Sequence, residues 1–563
     1  MQVNNVVIVG GGSSGWMTAA ALLKLCPWVN VVLVESAKHP TVGVGESTLG
    51  HFNKYLKALG LRDEDWMAAC NATYKNSIQF TNFRDNNDSV FQYPFGVYDY
   101  HLDTMEIGIG GGNIEDFFDI QASIGAGEDL YESPDGFATY YNAENTLLAT
   151  HNKQTDNKDG KFRNFDPAVD VAYHLDAEKF GQWLRVNVCE PWKQVDRFTH
   201  IIGDVRGMVK DVTAGGSPAQ SNRIIKQLAV RLDESKKTIG VVGDLFIDCT
   251  GFKGALIEGL MNVRHISFEK VLPNNKAYFA RIPYEDQKFR EMAMHNTTDC
   301  EGAENGWMWT IPLWDRIGVG YCWSDRFAMP TEARQEFEMW IERKFNIEPG
   351  TYEIKELDIK HGYREKAWEL NCLSIGLSYG FVEPLESTGL LTTHENVLRL
   401  VDVLKRRKGY VTNLERSWYN YQAQREVIGF SKFVAMHYAL SMRTDNPYWR
   451  HATQRCDYME DNFDGNVKVN DNYERMGDIL DNNCPLAANM LGMNYIAAGM
   501  GLRLGTRFSY HDMDLDTLAI KKQDREEYIA YVHNEVHKLP SHYQYLLDNI
   551  YGGVDEIRDS LEA

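Results

Sequence analysis

The chain has 563 residues, 44% of them hydrophobic, which is enough for a sizeable core and, by length, about two to four domains. Its net charge of −21 argues against nucleic acid or an anionic membrane as a partner, because both polyanions recruit Lys and Arg. The nine cysteines are dispersed, with no C-x-x-C pair and no Cys/His cluster, and predict neither a disulfide framework nor a metal site.

The beginning of the chain lacks the pattern of a secretory signal, since Met1–Asn5 leads directly into a strand without a basic segment and cleavage site. No apolar run approaches the ~18 residues that a membrane-spanning helix needs. We therefore expect a cytoplasmic protein with no membrane contact.

The first predicted elements form a β-α-β unit. Val6–Val9 is a short apolar run of the kind that is covered on both faces of a sheet. Glycines follow, and Trp16–Leu25 then has the composition of a helix that ends before Pro27. Val29–Val34 supplies a second buried strand.

The rest of the chain predicts an α/β fold with a helical C-terminal part. The segment 84–170 is rich in Asp, Asn, Gly and aromatic residues, and is predicted to be an inserted, substrate-side flap region. A helix is predicted at Asp176–Arg185 and a strand at Asp244–Asp248. The predicted domains are an FAD-binding Rossmann-type core at 1–395, which contains the insertion, and a mainly helical region at 396–563.

The segment Gly10–Gly15 fits G-x-G-x-x-G and has the required strand before it and helix after it. Glycine permits the tight turn and the close approach of a diphosphate, whose charge then lies at the helix N-terminus. Glu35 ends the second strand, where it can accept a hydrogen bond from a ribose hydroxyl. The predicted cofactor-binding residues of this unit are Gly10, Gly12, Ser13, Ser14, Gly15, Trp16 and Glu35. The motif alone does not separate FAD from NAD.

A later segment favours FAD. Asp248-Cys-Thr-Gly-Phe252 follows an apolar run and resembles the strand and turn that return to the FAD site in flavoprotein hydroxylase-like folds. Asp248 is therefore a further predicted cofactor-binding residue, although an ordinary strand end has the same pattern.

Six further segments carry a more specific resemblance. In chain order they are Gly43–Ser47, Ala72–Lys75, Gly306–Pro312 with its W-x-W-x-I-P sequence, Gly380–Gly389, Phe433–Tyr438 and Pro447–Trp449. They occur in the order of the family named next, and the resemblance extends to about residue 500. Together they resemble the flavin-dependent halogenase family, whose best-known members act on tryptophan. Alternate tryptophans at 307 and 309 also suit the packing of a core strand.

The resemblance implies that reduced FAD, dioxygen and a halide ion generate hypohalous acid, which halogenates an electron-rich aromatic substrate. It implies that Gly45 and Glu46 contact FAD. It also implies that Thr388 and Gly389 bind halide, which is chloride, bromide or iodide.

Lys75 and Glu386 are the catalytic residues that the resemblance implies. The Lys75 ammonium can hydrogen-bond hypohalous acid or form a haloamine, and the sequence leaves both open. The Glu386 carboxylate can orient the oxidant or stabilise the ring cation and take its proton. By themselves, these residues also fit a solvated surface lysine and a surface or helix-capping glutamate.

The substrate side is less defined. Tyr93–Gly96 resembles the family flap, in which an aromatic ring stacks on the substrate, and Phe95, His101 and Trp449 are the predicted substrate-binding residues. The pattern leaves open an indole, a phenol, a pyrrole or a carrier-bound aromatic.

No second G-x-G-x-x-G segment is present, so we expect a separate flavin reductase to supply reduced FAD. Two other functions share the nucleotide motif: an FAD-dependent monooxygenase that hydroxylates an aromatic, and a non-catalytic flavin-binding protein. Self-association into a homo-oligomer is compatible with the sequence.

Overall fold

The apolar run Val6–Val9 lies in the first strand of the chain, and in the computed structural model all four side chains are buried. This is the environment of a strand that is covered on both faces of its sheet. The structure describes residues 1–38, 45–96, 133–211, 224–454, 490–501 and 515–552.

Helices occur in every part of the chain that the structure describes. In chain order they are α1 (Ser13–Leu25), α2 (Phe52–Leu59), α3 (Asp63–Trp66), α4 (Gly136–Tyr141), α5 (Ala143–Thr150), α6 (Pro167–Asp170), α7 (Ala177–Leu184), α8 (Gln287–Ala293), α9 (Pro330–Phe345), α10 (Thr388–Arg406), α11 (Asn413–Leu440), α12 (Pro447–Gln454), α13 (Met490–Gly499), α14 (Leu515–His537) and α15 (His542–Asn549).

In the described residues, all the strands lie before residue 382. In chain order they are β1 (Asn5–Val9), β2 (Asn30–Glu35), β3 (Glu46–Ser47), β4 (Thr73–Lys75), β5 (Ser77–Thr81), β6 (Val90–Pro94), β7 (Ala172–Leu175), β8 (Phe198–Asp211), β9 (Ile224–Leu232), β10 (Thr238–Val242), β11 (Leu245–Asp248), β12 (His265–Ile266), β13 (Lys276–Pro283), β14 (Thr297–Gly302), β15 (Gly306–Pro312), β16 (Arg316–Trp323), β17 (Lys355–Asp358), β18 (Gly362–Arg364), β19 (Trp368–Glu369), β20 (Cys372–Ser374) and β21 (Gly380–Phe381).

The first of two compact units is formed by residues 1–71, 175–269 and 360–428. Its main sheet has the strand order β10-β9-β8-β2-β1-β11-β20-β19. The five strands from β8 to β20 are parallel, and the strands outside them are antiparallel to their neighbours. In parallel sheets of this kind, ligands bind at the carboxyl ends of the strands.

The second unit is formed by residues 72–174, 270–359 and 429–563. Its seven-stranded sheet has the order β17-β13-β16-β15-β14-β5-β6, in which only the pair β5 and β14 is parallel. The W-x-W-x-I-P strand, β15, is buried along its whole length, and the rings of Trp307 and Trp309 have centroids 5.7 Å apart. These tryptophans therefore pack in the sheet core.

Most predicted elements appear close to their expected positions. Helix α1 begins at Ser13 rather than at Trp16, because the glycine loop ends at Gly12 and the two serines already belong to the first turn. Helix α7 begins after Asp176, whose side chain accepts a hydrogen bond from the N–H of Lys179 and so caps the helix.

The C-terminal region is helical where it is described, as the sequence predicted. The domain boundary at residue 395 stays a prediction, since units of dense contact need not coincide with functional domains. None of the helices in the described residues is long and apolar enough to cross a membrane.

Candidate active site

The glycine loop lies between β1 and α1, at the carboxyl edge of the parallel sheet. Gly10 has a φ of +116°, and a Cβ on it would lie 2.2 Å from the backbone oxygen of Cys249, which follows the adjacent strand β11. Only glycine fits this turn without strain. Gly12 caps α1, and Ser13, Ser14 and Gly15 form its first turn. The N–H groups of a first helical turn lack intrahelical acceptors, so this loop offers donors to a diphosphate.

The Glu35 carboxylate lies directly over the glycine loop. A Cβ on Gly11 would lie 1.4 Å from Oε2 of Glu35, while Oε1 is 2.8 Å from Nε2 of His200 on the neighbouring strand β8. His200 therefore fixes the orientation of the Glu35 carboxylate, which is predicted to accept a hydrogen bond from a ribose hydroxyl. Trp16 is fully buried, with its ring edge-on to His200 at a centroid distance of 5.1 Å. Its predicted contact with the cofactor stays a prediction.

Asp248 organises the turn that touches this loop. Its carboxylate accepts hydrogen bonds from the N–H groups of Thr250, Leu256 and Ile257, at 3.0, 2.7 and 2.8 Å. Burial raises the pKa of Asp248, and these hydrogen bonds act in the opposite direction. The observed contacts give Asp248 a structural role, and its contact with a cofactor stays a prediction.

The loop, the helix N-terminus and the carboxylate over Gly11 fit a dinucleotide that has a diphosphate and a ribose. The space above Gly11 admits no side chain beside Glu35, and the first turn of α1 supplies hydrogen-bond donors. The residues present therefore fit FAD.

The predicted flavin strap and the predicted halide residues meet within the same unit. Ser387 and Ser47 are joined by a hydrogen bond of 3.1 Å between their hydroxyl oxygens. A Cβ on Gly389 would lie 3.9 Å from Oε2 of Glu46. Gly45, directly before Glu46 and Ser47, has a φ of +129°. Of the strap segment Gly43–Ser47, residues 43 and 44 lie outside the described residues.

Thr388 and Gly389 are the first two residues of α10, a helix of 19 residues. Their N–H groups belong to a helix N-terminus, which favours an anion. The nearby Glu46 carboxyl would repel an anion when ionised, but burial raises its pKa to about 7. This group is therefore about half ionised at neutral pH and largely uncharged only below it.

Glu386 ends the short 3-10 turn Pro384–Glu386, directly before Ser387, whose backbone is left-handed with a φ of +55°. The Glu386 side chain is fully buried, and so is that of Glu383. Burial therefore excludes a surface position for Glu386. It does not show which of the two carboxylates takes part in catalysis.

Lys75 is fully buried, which overturns the surface alternative that its sequence pattern allowed. It ends β4 opposite Ala172 of β7, and its Nζ lies 4.9 Å from the ring centroid of Phe95. The chain then leaves the β4–β7 pair and enters the seven-stranded sheet at Ser77. A buried ammonium over an aromatic ring is the kind of group that concentrates at functional sites.

His174 lies close to Lys75 and was not predicted. It is fully buried, with Nε2 2.8 Å from the Thr298 hydroxyl and Nδ1 3.3 Å from that of Thr73. Burial, followed by the charge of Lys75, holds its pKa well below the ordinary value. His174 is therefore neutral and adds no second positive charge beside Lys75.

Two buried asparagines also escaped the sequence prediction. Neither side-chain polar atom of Asn76 has a hydrogen-bond partner among the described residues. Asn145 donates from its amide to the backbone oxygens of Asn76, Phe95 and Asp170, at 3.1, 2.8 and 3.0 Å. Asn145 thus ties the lysine segment to the predicted flap. No local sequence signal marks either residue, because both depend on contacts between distant segments.

The other predicted substrate residues are less informative. Phe95 is buried directly before the last residue, Gly96, of the described range 45–96, and His101 lies outside the described residues. Trp449 is fully buried, donates from its indole N–H to the backbone oxygen of Ala303 at 2.8 Å, and has the Arg443 guanidinium 4.2 Å from its ring centroid. Its role toward a substrate stays a prediction.

The fold and loop define the class as a dinucleotide-binding protein of the Rossmann type, and comparison with known proteins defines the family. The family model described as tryptophan halogenase matches residues 5–477. The 7-chloro-L-tryptophan 6-halogenase KtzR of Kutzneria sp. (strain 744) is 31% identical over 485 residues, covering 80% of this chain and 82% of the relative.

Two solved structures agree with that match. The apo structure of VirX1 superposes with a TM-score of 0.83 at 43% identity, covering 98% of this chain and 100% of that one. The tryptophan 6-halogenase SttH of Streptomyces toxytricini superposes with a TM-score of 0.75 at 27% identity, covering 96% and 99%. The chain belongs to the tryptophan halogenase family. It is a flavin-dependent halogenase, and the predicted fold class and enzyme class are confirmed.

Proposed function

We propose that this enzyme uses reduced FAD, dioxygen and a halide ion to generate hypohalous acid, which then halogenates an electron-rich aromatic small molecule. The observation that carries the proposal is the complete burial of Lys75, with its ammonium 4.9 Å from the Phe95 ring centroid. Lysine is rarely buried completely, and a positioned ammonium can donate a hydrogen bond to hypohalous acid.

Reduced FAD, when bound, would supply two electrons and two protons, with which dioxygen, a halide ion and one further proton become hypohalous acid and water. The chain itself binds and orients the cofactor. The first turn of α1 donates to the diphosphate, and Glu35, held by His200, accepts from a ribose hydroxyl.

The halide is held at the N-terminus of α10. The N–H groups of Thr388 and Gly389 and the Thr388 hydroxyl donate to the ion, and the helix dipole favours its charge. Glu46 approaches this turn, and its raised pKa keeps it largely neutral at pH values below about 7. Halide affinity should therefore fall as the pH rises through that value.

Lys75 activates the oxidant and Glu386 completes the substitution. The Lys75 ammonium donates a hydrogen bond to the oxygen of hypohalous acid, which makes the halogen more electrophilic. The Glu386 carboxylate stabilises the ring cation and accepts the proton that the ring loses, so that halogenated product and water remain. In the haloamine alternative, the halogen first replaces a hydrogen on Nζ of Lys75. An intact-protein mass taken after turnover without substrate distinguishes the two.

We propose an indole as the first substrate class to test, because KtzR and SttH are named for reactions on tryptophan derivatives. Phe95 is then the ring that stacks on the substrate. Asn145 fixes the Phe95 backbone relative to the segment that carries Lys75.

The test supplies the enzyme with FAD, a flavin reductase, NADH and bromide, offers indoles and phenols, and detects products by mass spectrometry. We expect a bromine isotope doublet that disappears in Lys75→Met and in Glu386→Gln. Two matched controls should keep it: Lys276→Met changes a partly exposed lysine of the same unit, and Glu383→Gln changes an equally buried carboxylate three residues from Glu386.

Other outcomes would change the assignment. An oxygenated product without bromine, formed equally well in the absence of halide, would identify a hydroxylase. A brominated product that persists in Lys75→Met would show that the lysine is not required for the reaction. Loss of product in Glu383→Gln as well as in Glu386→Gln would show that the buried turn as a whole is required rather than one carboxylate.

We also propose that a separate reductase supplies the reduced flavin and that the enzyme acts in the cytoplasm. Family membership and the single G-x-G-x-x-G segment support the first, and the buried thiols of Cys26, Cys70, Cys189, Cys249 and Cys372, which form no disulfide, fit a reducing compartment. Rapid bleaching of enzyme-bound FAD by NADPH alone would contradict the need for a reductase.

A further inference from the structure

Three histidines from distant parts of the sequence meet in the second unit. His151 directly follows α5, whereas His533 and His537 lie one turn apart on α14. The His151 ring centroid is 5.1 Å from that of His533 and 4.5 Å from that of His537. One ligand nitrogen from each ring lies within 4.8 Å of those of the other two.

The spacing suits a tetrahedral metal ion. Two imidazole nitrogens bound to one zinc ion at ~2.05 Å lie about 3.3 Å from each other. The Nε2 atoms of His533 and His537 are 3.2 Å apart. A hydrogen bond between the two rings would give the same distance, but it would not account for the third ring that converges on the pair. Among the described residues these three rings are the only ligands of the group, and water can take the fourth position.

The donor set also selects the class of ion. Imidazole nitrogens favour zinc, copper, nickel and cobalt ions, whereas magnesium and calcium require oxygen ligands. His533 and His537 are exposed and His151 is half-buried, so an ion can reach the three rings from solvent.

From this geometry we propose that His151, His533 and His537 bind a divalent transition-metal ion of the zinc class. No metal site was predicted from the sequence: His533 and His537 have the i, i+4 spacing of a helical ligand pair, but the third ligand precedes them by more than 380 positions and no cysteine is involved. The site is separate from the halogenation chemistry that we propose, and its test does not depend on that function.

The bound ion would join two elements that already contact each other. The residue after His151, Asn152, accepts a hydrogen bond from the N–H of His542 at 2.9 Å, and Lys153 donates to the backbone oxygen of Leu539 at 2.7 Å. Nε2 of His542 in turn accepts from the N–H of Tyr74 at 3.1 Å. Metal binding should therefore stabilise the helical region that supports the strand of Lys75.

The test uses the full-length protein without a histidine tag, freed of metal with EDTA and titrated with zinc chloride by calorimetry. We expect about one equivalent to bind, and at least about 100-fold weaker binding in His533→Asn and His537→Asn, since each removes a direct ligand. His151→Asn should also weaken binding. The matched control is His451→Asn, a half-buried histidine outside the cluster, which should bind zinc as the unchanged protein does.

A second measurement distinguishes a defined site from loose association. Saturating zinc should raise the midpoint of thermal unfolding of the unchanged protein and of His451→Asn but not that of the double variant His533→Asn with His537→Asn. Magnesium should have neither effect. Equal zinc affinity in the unchanged protein and the double variant would overturn the proposal, and so would equal binding of magnesium or no zinc binding up to millimolar concentrations.

Discussion

The substitution Gly11→Ala tests whether Glu35 holds the cofactor. A Cβ on Gly11 would lie 1.4 Å from Oε2 of Glu35 and 2.4 Å from its Cδ, so the carboxylate would have to leave its position. It would then lose its 2.8 Å contact with His200 and the place from which it accepts from a ribose. The carboxylate can move on its flexible side chain, whereas the Cβ of Glu35, 2.7 Å from the new methyl group, requires a small shift of the loop, and we expect the protein still to fold.

The expected loss follows from that one group. A hydrogen bond to a charged acceptor contributes about 1.5–3 kcal/mol, which corresponds to roughly 10- to 150-fold weaker FAD binding. Titration with FAD, followed by flavin fluorescence, should show this loss in Gly11→Ala and a similar loss in Glu35→Ala. The double variant should lose less than the sum, because both changes remove the same carboxylate.

A small additional loss should remain in the double variant, because the Cβ of residue 35 would itself lie 2.7 Å from the new methyl group on Gly11. Gly207→Ala is the control, since a Cβ there would meet nothing within 4 Å. Fully additive losses, or unchanged FAD affinity in Gly11→Ala, would refute the role that we assign to Glu35.

Three further predictions concern stability, measured as urea unfolding unless stated. Because the folded pKa of Glu46, about 7, exceeds its ordinary value of 4.5, its contribution is fully present below about pH 4.5 and is lost as the pH rises through 7. Glu46→Gln should remove this pH dependence. Between pH 5 and pH 8, the free energy of unfolding of the variant should rise by about 2 kcal/mol relative to that of the unchanged protein, a figure reduced for the partial exposure of Glu46. Asn145→Ala should destabilise by about 1–3 kcal/mol, because the buried Asp170 carbonyl loses its amide donor while the Asn76 and Phe95 carbonyls keep one donor each; a change under 0.5 kcal/mol would contradict this. In Gly320→Ala the new methyl carbon would lie 2.0 Å from the Trp309 ring, so we expect a loss of about 3 kcal/mol and an altered near-UV circular dichroism spectrum.

The sequence predicted the nucleotide-binding part of the fold well, because its signals are local. An apolar run, a glycine loop and a helix that ends before a proline lie within 30 residues, and each has a direct physical meaning. The partner of Glu35 could not be predicted in this way. His200 reaches it only because β8 is the neighbour of β2 in the sheet, and nothing near residue 200 indicates that strand order.

Lys75 shows the same limit. Alternating polar residues around it are typical of a strand with one solvated face, and only the resemblance to a family suggested a functional role. The chain changes its strand partners between Lys75 and Ser77, from β7 to the seven-stranded sheet, and the lysine is buried there. Alternation of polar and apolar residues indicates which face of a single sheet is buried. It therefore cannot predict the burial of a residue that lies where the chain passes from one sheet to another.

Gly376 connects the cofactor and halide sites that we propose. Helices α1 and α10 pack against each other, and a Cβ on Gly376 would lie 2.3 Å from Oγ of Ser14, in the first turn of α1, and 3.4 Å from Oγ1 of Thr393, on α10. Its φ of +71° also disfavours any other residue. Gly376→Ala should therefore displace Ser14 and weaken FAD binding, and through the packing of α1 on α10 it should also weaken the apparent affinity for bromide in turnover. If FAD affinity fell while bromide affinity stayed the same, the two anion sites would be positioned independently, and the halide site would depend on the Ser387 turn alone.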